Sequence, residues 1–158
     1  MAGKRKKIPT VYFDTSVIGG CFDQEFAKWS NGLIDDLRNG FIRGATSEIV
    51  AAEVELAPEV VVNKYKEFID LDVCIYNRDN YVEDLVDGYL DRKIVSKRYR
   101  NDSMHIALAT VFGADILVSW NFKHIVHYDK IVRFNAVNLE FGYHQLAILS
   151  PREVTTHD

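Results

Sequence analysis

The sequence predicts an α/β fold in three layers, α/β/α, with helices on both faces of a central, mainly parallel sheet. Short apolar runs rich in β-branched and aromatic residues alternate with longer segments whose apolar residues recur at helical spacing, a pattern typical of such folds. No internal repeat, low-complexity stretch or Pro-, Gly- or Ser-rich linker divides the 158 residues, and this length fits one domain. The predicted domain spans residues 8–150, between a basic flexible tail (1–7) and a C-terminal tail (151–158).

The predicted elements alternate along the chain. Apolar runs predict strands at 8–13, 41–45, 71–76, 115–119 and 145–149. Helical spacing predicts helices at 24–38, 46–57, 59–70, 81–99, 102–112 and 127–141, the fourth of which can divide into two pieces. Gly19-Gly20 indicate a break, Asn39-Gly40 and Gly113 indicate helix stops, and Pro58 ends the helix before it.

Composition restricts the classes of partner. The formal net charge is −4, so the overall field does not attract polyanions, and any contact with nucleic acid needs a local basic patch. No apolar run approaches the roughly 20 residues of a membrane span, and the basic N-terminus lacks the hydrophobic segment of a secretory signal. We therefore expect a cytoplasmic protein without membrane contact.

Four polar residues far apart in sequence carry the strongest functional signal: Asp14, Glu53, Asp102 and Asn121. Asp14 directly follows the first strand and Asn121 follows the fourth, which places both at the sheet edge where open α/β folds bind ligands. Glu53 lies on the apolar face of its helix, and Asp102 opens an apolar helix. Buried carboxylates rarely lack a partner, and a divalent cation offsets their mutual repulsion. The pattern predicts a Mg²⁺ or Mn²⁺ site and phosphoester chemistry.

Each of these residues also has a purely structural interpretation. Asp14 and Asp102 can cap the helices that they precede, Glu53 can pair with a Lys or Arg, and Asn121 can be a turn residue. His105, one turn after Asp102, can face the site or pack as an ordinary helix residue. The order of the four positions along the chain, rather than any one of them, favours the metal interpretation.

The segments YFDTSVIGG, TSEIVAAEVE, NDSMHIALA and GADILVSWNFKHI resemble a PIN domain, the nuclease fold of the VapC-type toxins of prokaryotic toxin–antitoxin pairs. The resemblance covers roughly residues 8–149. It implies that the metal-binding acids of the family correspond to Asp14, Glu53 and Asp102, and that the supporting small polar residues correspond to Ser16 and Ser119.

Asn121 departs from the family, which commonly has a final aspartate at this place. The change removes one formal negative charge from the predicted site. Asn121 then acts as a neutral ligand or holds a water beside three carboxylates and one Mg²⁺, or else metal binding is weak and activity is low. We favour the first interpretation because the three acids are retained.

The resemblance implies a single-strand endoribonuclease in which a metal-activated water hydrolyses RNA phosphodiesters. Asp14, Glu53, Asp102 and Asn121 are its predicted catalytic residues. Basic and aromatic side chains flank these positions and can contact RNA or form an ordinary solvated face: Lys97, Arg98, Tyr99, Arg100 and Lys123. The family also implies an antitoxin partner and a homodimer.

Two other functions are compatible with parts of the sequence. A PIN-like module that binds nucleic acid or protein with weak or no cleavage is supported by Asn121. A phospho-acceptor signalling domain is disfavoured, because it needs an acidic pair at the end of the first strand, where this chain has Asp14, Thr15 and Ser16.

Overall fold

Five parallel strands form one sheet at the centre of residues 7–157, the part of the chain that the computed structural model describes. In chain order they are β1 (Thr10–Phe13), β2 (Arg43–Ser47), β3 (Cys74–Tyr76), β4 (Ile116–Val118) and β5 (Ala147–Leu149). Their spatial order is β3-β2-β1-β4-β5, and every neighbouring pair is parallel. The predicted parallel sheet is confirmed. The strand order reverses between β1 and β4, which is where such sheets bind ligands.

Helices cover both faces of the sheet and complete the predicted three layers. Within the described residues they are α1 (Thr15–Gly20), α2 (Ala27–Arg38), α3 (Glu48–Glu55), α4 (Glu59–Ile69), α5 (Asn80–Asp91), α6 (Arg100–Val111), α7 (Tyr128–Glu140) and α8 (Pro151–Val154), with a 3-10 helix at Lys97–Tyr99. Gly40 and Gly113 stand just beyond the ends of α2 and α6 with φ angles of 79° and 78°. Glycine adopts this left-handed conformation without a Cβ penalty, so both predicted helix stops are confirmed.

Three helix boundaries differ from the predictions for local reasons. α1 forms where Gly19-Gly20 predicts a break, because the Asp14 carboxylate caps it and accepts a hydrogen bond from the Val17 backbone at 3.3 Å. The segment predicted as helical at 81–99, in one piece or two, divides into α5 and the 3-10 helix at Lys97–Tyr99, and Lys93 between them has a positive φ of 56°. α6 begins two residues before Asp102, so this acid lies in the first turn of the helix.

The sheet separates two cores, because successive side chains of a strand point to opposite faces. Val11 and Phe13 of β1 pack with α1, α2 and α4, on what we call the Phe68 face. Tyr12 packs with α3, α5, α6 and α7, on what we call the Tyr12 face. The candidate site lies where both faces meet the carboxyl edge of the sheet.

Residues 151–157 extend the fold beyond the predicted domain end at residue 150. A capping box formed by Ser150 and Glu153 starts α8, which packs on α2. Thr155 Oγ1 and the Thr156 backbone then donate hydrogen bonds to the buried Asp36 carboxylate, at 2.8 and 2.9 Å. These contacts attach the C-terminal segment to α2.

The predicted basic tail, residues 1–7, lies outside the described residues apart from Lys7. The Lys7 ammonium forms a 3.2 Å ion pair with Asp115. No helix within residues 7–157 is both long and apolar enough to cross a membrane.

Candidate active site

Asp14 lies at the end of β1 and is held by groups from two strand ends. Its Oδ1 accepts a hydrogen bond from Ser16 Oγ at 2.6 Å, and its Oδ2 accepts one from Ser119 Oγ at 2.5 Å. Only 3% of Asp14 is exposed. Burial raises the pKa of Asp14 above its ordinary value, although the charge of His105 and the hydrogen bonds from the two serines oppose this rise. The two serines predicted as supporting residues, Ser16 and Ser119, thus both contact Asp14.

Glu53 projects from α3 towards the start of α1. Its Oε1 accepts hydrogen bonds from Thr15 Oγ1 at 3.0 Å and from His105 Nε2 at 2.8 Å. Burial alone would raise the pKa of Glu53, but the hydrogen bond and charge of His105, together with the Thr15 hydroxyl, lower it. The partner of this acid is therefore a histidine and a threonine, not a Lys or Arg, and its Oε2 makes no hydrogen bond within residues 7–157.

His105 links the site to the centre of the sheet. Its Nε2 must carry the hydrogen that Glu53 accepts, since a carboxylate only accepts, and its Nδ1 lies 2.8 Å from the Tyr12 hydroxyl. That hydroxyl is in turn 2.7 Å from Ser47 Oγ. Burial alone would lower the pKa of His105, but the hydrogen bond to Glu53 and the charges of Asp14, Glu53 and Asp102 raise it.

Sequence reasoning left the role of His105 open and missed Tyr12 and Ser47. A histidine three positions after Asp102, in a run of otherwise apolar helical residues, is the signal that pointed to His105. The sequence gives no comparable indication for Tyr12, because a tyrosine in a buried strand cannot be distinguished from an ordinary core residue until the partner of its hydroxyl is known.

Asp102 is held by the loop that follows β4. Its Oδ2 lies 2.8 Å from His124 Nδ1, and its Oδ1 makes no hydrogen bond within residues 7–157. Asn121 belongs to the same loop, but its side-chain oxygen accepts the His124 backbone N–H at 3.0 Å. In this conformation the oxygen predicted as a neutral ligand is used inside the loop.

All three acids lie at the carboxyl edge of the sheet: Asp14 follows β1, Glu53 contacts Thr15 at the start of α1, and Asp102 contacts His124 in the loop after β4. Their negative charges favour the protonated form of His105 and raise its pKa. No set of three or more His, Cys, Asp or Glu side chains within residues 7–157 is arranged to hold a metal ion. The arrangement is therefore an open group of acids in which one oxygen of Glu53 and one of Asp102 make no hydrogen bond within the described residues.

The side chains predicted to contact RNA divide into two groups. Lys97, Arg98 and Lys123 are exposed. The Tyr99 ring lies 3.9 Å from that of His124, measured between centroids, and Arg98 lies 5.6 Å from the Tyr99 ring centre. The Arg100 guanidinium instead binds Glu83 and Asp87 of α5, at 2.5 and 3.1 Å.

No family model and no curated protein matches the chain. Among solved structures it is similar to a chain in the crystal structure of VapBC2 from Rickettsia felis bound to a DNA fragment from their promoter. The TM-score is 0.54, the sequence identity is 17%, and the match covers 88% of this chain and 98% of the other. At this identity the match shows a shared fold. The fold is PIN-like, as the sequence predicts.

Proposed function

We propose that this protein is a metal-dependent, single-strand endoribonuclease of the toxin type. The observation that carries the proposal is the presence of three carboxylates, those of Asp14, Glu53 and Asp102, at the edge of the sheet where the strand order reverses. Repulsion among acids at one edge costs folding free energy, and a bound divalent cation would offset this cost. The PIN-like fold supports the same proposal.

The donor chemistry fits Mg²⁺ or Mn²⁺, which prefer oxygen ligands. Mg²⁺ commonly keeps several waters and binds proteins through one or two carboxylates together with substrate phosphates. Glu53 Oε2 and Asp102 Oδ1 are the oxygens left for such an ion. Asp14 would add charge and a remaining acceptor position, since each carboxylate oxygen has two. This mode of binding needs no closed cage of protein ligands.

The acidic side chains of the site would orient the attacking water. When bound, the divalent ion lowers the pKa of a coordinated water and polarises the phosphoryl oxygen. Of Glu53 and Asp102, one carboxylate would hold the ion, while the other would accept the proton of the attacking water as its oxygen bonds to phosphorus. The bond from phosphorus to one ribose oxygen would then break. That oxygen would take up a proton from bulk water, to which the carboxylate would release its own. Thr15 and His105 keep Glu53 in place throughout.

The exposed basic side chains and the fold support a proposal for the substrate and the partners. Lys97, Arg98 and Lys123 would contact RNA phosphates beside the acids, whereas Arg100 forms ion pairs with α5 and stabilises the fold. The similar structure is that of VapBC2 bound to promoter DNA, which supports proposing that this chain too is paired with an antitoxin, as a homodimer in the cytoplasm.

The experiment is cleavage of a labelled single-stranded RNA by the purified protein, with Mn²⁺ and with EDTA. We expect cleavage only with metal, and losses of at least about 100-fold in Glu53→Gln and Asp102→Asn. Glu55→Gln is the matched control, because Glu55 is exposed on the same helix, two residues from Glu53. Circular dichroism confirms that each variant is folded. Cleavage by Glu53→Gln at the wild-type rate would contradict the site assignment.

A PIN-like binding module without cleavage is the second candidate. It is favoured by the engagement of the Asn121 side-chain oxygen inside its loop and by the open arrangement of the acids. RNA binding by a folded protein that cuts with neither Mg²⁺ nor Mn²⁺ would support this candidate over the nuclease.

A further inference from the structure

The loop after β4 is organised by Asn121. The Asn121 backbone carbonyl accepts hydrogen bonds from the N–H groups of Ile125 and Val126 at 3.1 and 2.9 Å. Its side-chain oxygen accepts the His124 N–H at 3.0 Å, and its own N–H donates to Ser119 Oγ at 3.0 Å. Asn121 therefore fixes the turn that carries His124 and connects that turn to the serine that holds Asp14.

This turn delivers the imidazole of His124 to Asp102. The His124 side chain is only 12% exposed, and its Nδ1 lies 2.8 Å from Asp102 Oδ2. Because an ionised carboxylate only accepts hydrogen bonds, Nδ1 carries the hydrogen. The Tyr99 ring covers the imidazole, with centroids 3.9 Å apart. One oxygen of Asp102 is thus anchored, and the other makes no hydrogen bond within the described residues.

We propose that His124 is a positioning residue for Asp102 and that Asn121 acts by holding His124. This inference rests on the proposed nuclease function. Asp102 is on the first turn of α6, where an unanchored carboxylate has several rotamers. The Nδ1–H donor selects the rotamer in which Oδ2 is bonded, and Oδ1 would remain available to a divalent ion. Asn121 thereby replaces the expected final acid by a loop that orients another acid, not by a ligand of its own.

The inference is tested with two pairs of variants. His124→Phe keeps a ring against Tyr99 but removes the donor, whereas His124→Asn keeps an N–H donor close to the position of Nδ1. Asn121→Ala removes the acceptor of the turn, whereas Asn121→Ser keeps a side-chain oxygen that can bond the backbone. His144→Phe is the control, because His144 is exposed and precedes β5 at the opposite edge of the sheet.

Ring ¹⁵N NMR of the metal-free protein gives the first readout. We expect His124 to carry hydrogen on Nδ1 and its signal to move in Asp102→Ala. In Asn121→Ala the His124 ring signal should no longer be that of an imidazole bonded to Asp102, whereas in Asn121→Ser it should match the wild type. A His124 with hydrogen on Nε2 alone, insensitive to Asp102→Ala, overturns the inference.

Mn²⁺ affinity, measured by calorimetry, gives the second readout. His124→Phe and Asn121→Ala should weaken binding about 10-fold to 100-fold, the usual effect of losing a group that orients a ligand, while His124→Asn and Asn121→Ser recover most of it. In RNA cleavage kcat should fall with KM unchanged. Equal Mn²⁺ affinity in His124→Phe and wild type contradicts the inference. If the wild type neither binds Mn²⁺ nor cuts RNA, the proposed function fails, while the ring signals still decide whether His124 holds Asp102.

Discussion

Tyr12 and Phe13 are neighbours on β1 and both are fully buried, yet they contribute to different properties of the molecule. Phe13 packs on the Phe68 face, where its ring centroid is 4.8 Å from that of Phe68. Tyr12 packs on the other face. Its hydroxyl is hydrogen-bonded to His105, which in turn is hydrogen-bonded to Glu53. The Phe68 face therefore contributes stability. The Tyr12 face contributes stability and also positions Glu53 of the candidate site through hydrogen bonds.

The largest expected effect comes from the Phe68 face. Phe68→Ala removes a fully buried ring, and we expect the free energy of unfolding to fall by about 3–5 kcal/mol. The hydrogen bonds of the site do not involve this ring, so the NMR ring signals of His105 should stay unchanged at low temperature. Urea unfolding measures the first effect, with Phe68→Leu as a milder variant. A change in the His105 signals of Phe68→Leu would break the distinction between the two faces.

A matched pair of hydroxyl deletions sharpens the comparison within the Tyr12 face. Tyr12→Phe and Tyr89→Phe each remove a buried hydroxyl, bonded to Ser47 and His105 in one case and to Asn138 in the other. Each variant leaves buried polar groups without a partner, so each should lose about 1–3 kcal/mol of unfolding free energy.

Only one of these two deletions should alter the site. We expect Tyr12→Phe to change the His105 ring signals and to lower the RNA cleavage rate, and Tyr89→Phe to do neither. Equal cleavage by both variants in urea-free buffer, at matched folded fraction, would show that the Tyr12 hydroxyl does not act on Glu53.

The smallest expected effect is a pH dependence. Folding lowers the pKa of Glu53, so this residue stabilises the fold at pH values above about 4.3, the pKa of an unfolded glutamate. The stabilisation is lost as the pH falls through the pKa of Glu53 in the folded protein. Folding raises the pKa of His105, so this residue stabilises the fold fully at pH values below about 6.5, the pKa of an unfolded histidine. The stabilisation is lost as the pH rises through the pKa of His105 in the folded protein. The pair therefore stabilises most between about pH 4.3 and 6.5.

His105→Gln isolates this contribution. The stability advantage of the wild type over this variant should be larger at about pH 6 than at about pH 9, by about 1.4 kcal/mol for each unit by which the His105 pKa is raised. Thermal unfolding of both metal-free proteins across this range provides the measurement. An advantage that grows with pH would mean that His105 is neutral in the folded protein.

The sequence predicts the parts of this molecule that depend on local pattern. Alternating apolar runs predict the layers, and Gly40 and Gly113 mark helix ends because only their backbones adopt a positive φ without cost. Asp14 could be placed because the end of a strand fixes which edge of the sheet its side chain occupies.

The parts that depend on tertiary approach could not be predicted in this way. Glu53 was expected to need a partner, but the partner, His105, comes from another helix and is oriented by Tyr12 of the sheet. The sequence allows two interpretations of Asn121, as a metal ligand or as a turn residue. They differ only in the direction of its side-chain oxygen. That direction depends on the position of the His124 backbone three residues later.

The contact between α2 and the C-terminal segment has a consequence for synthesis of the protein. Asp36 is 1% exposed, and its hydrogen-bond donors are Thr155 and Thr156, about 120 residues later. A nascent chain that has emerged only as far as β5 therefore carries a carboxylate that burial would leave unpaired, which costs folding free energy. We therefore expect α2 to complete its packing onto the sheet only after residues 155 and 156 have left the ribosome.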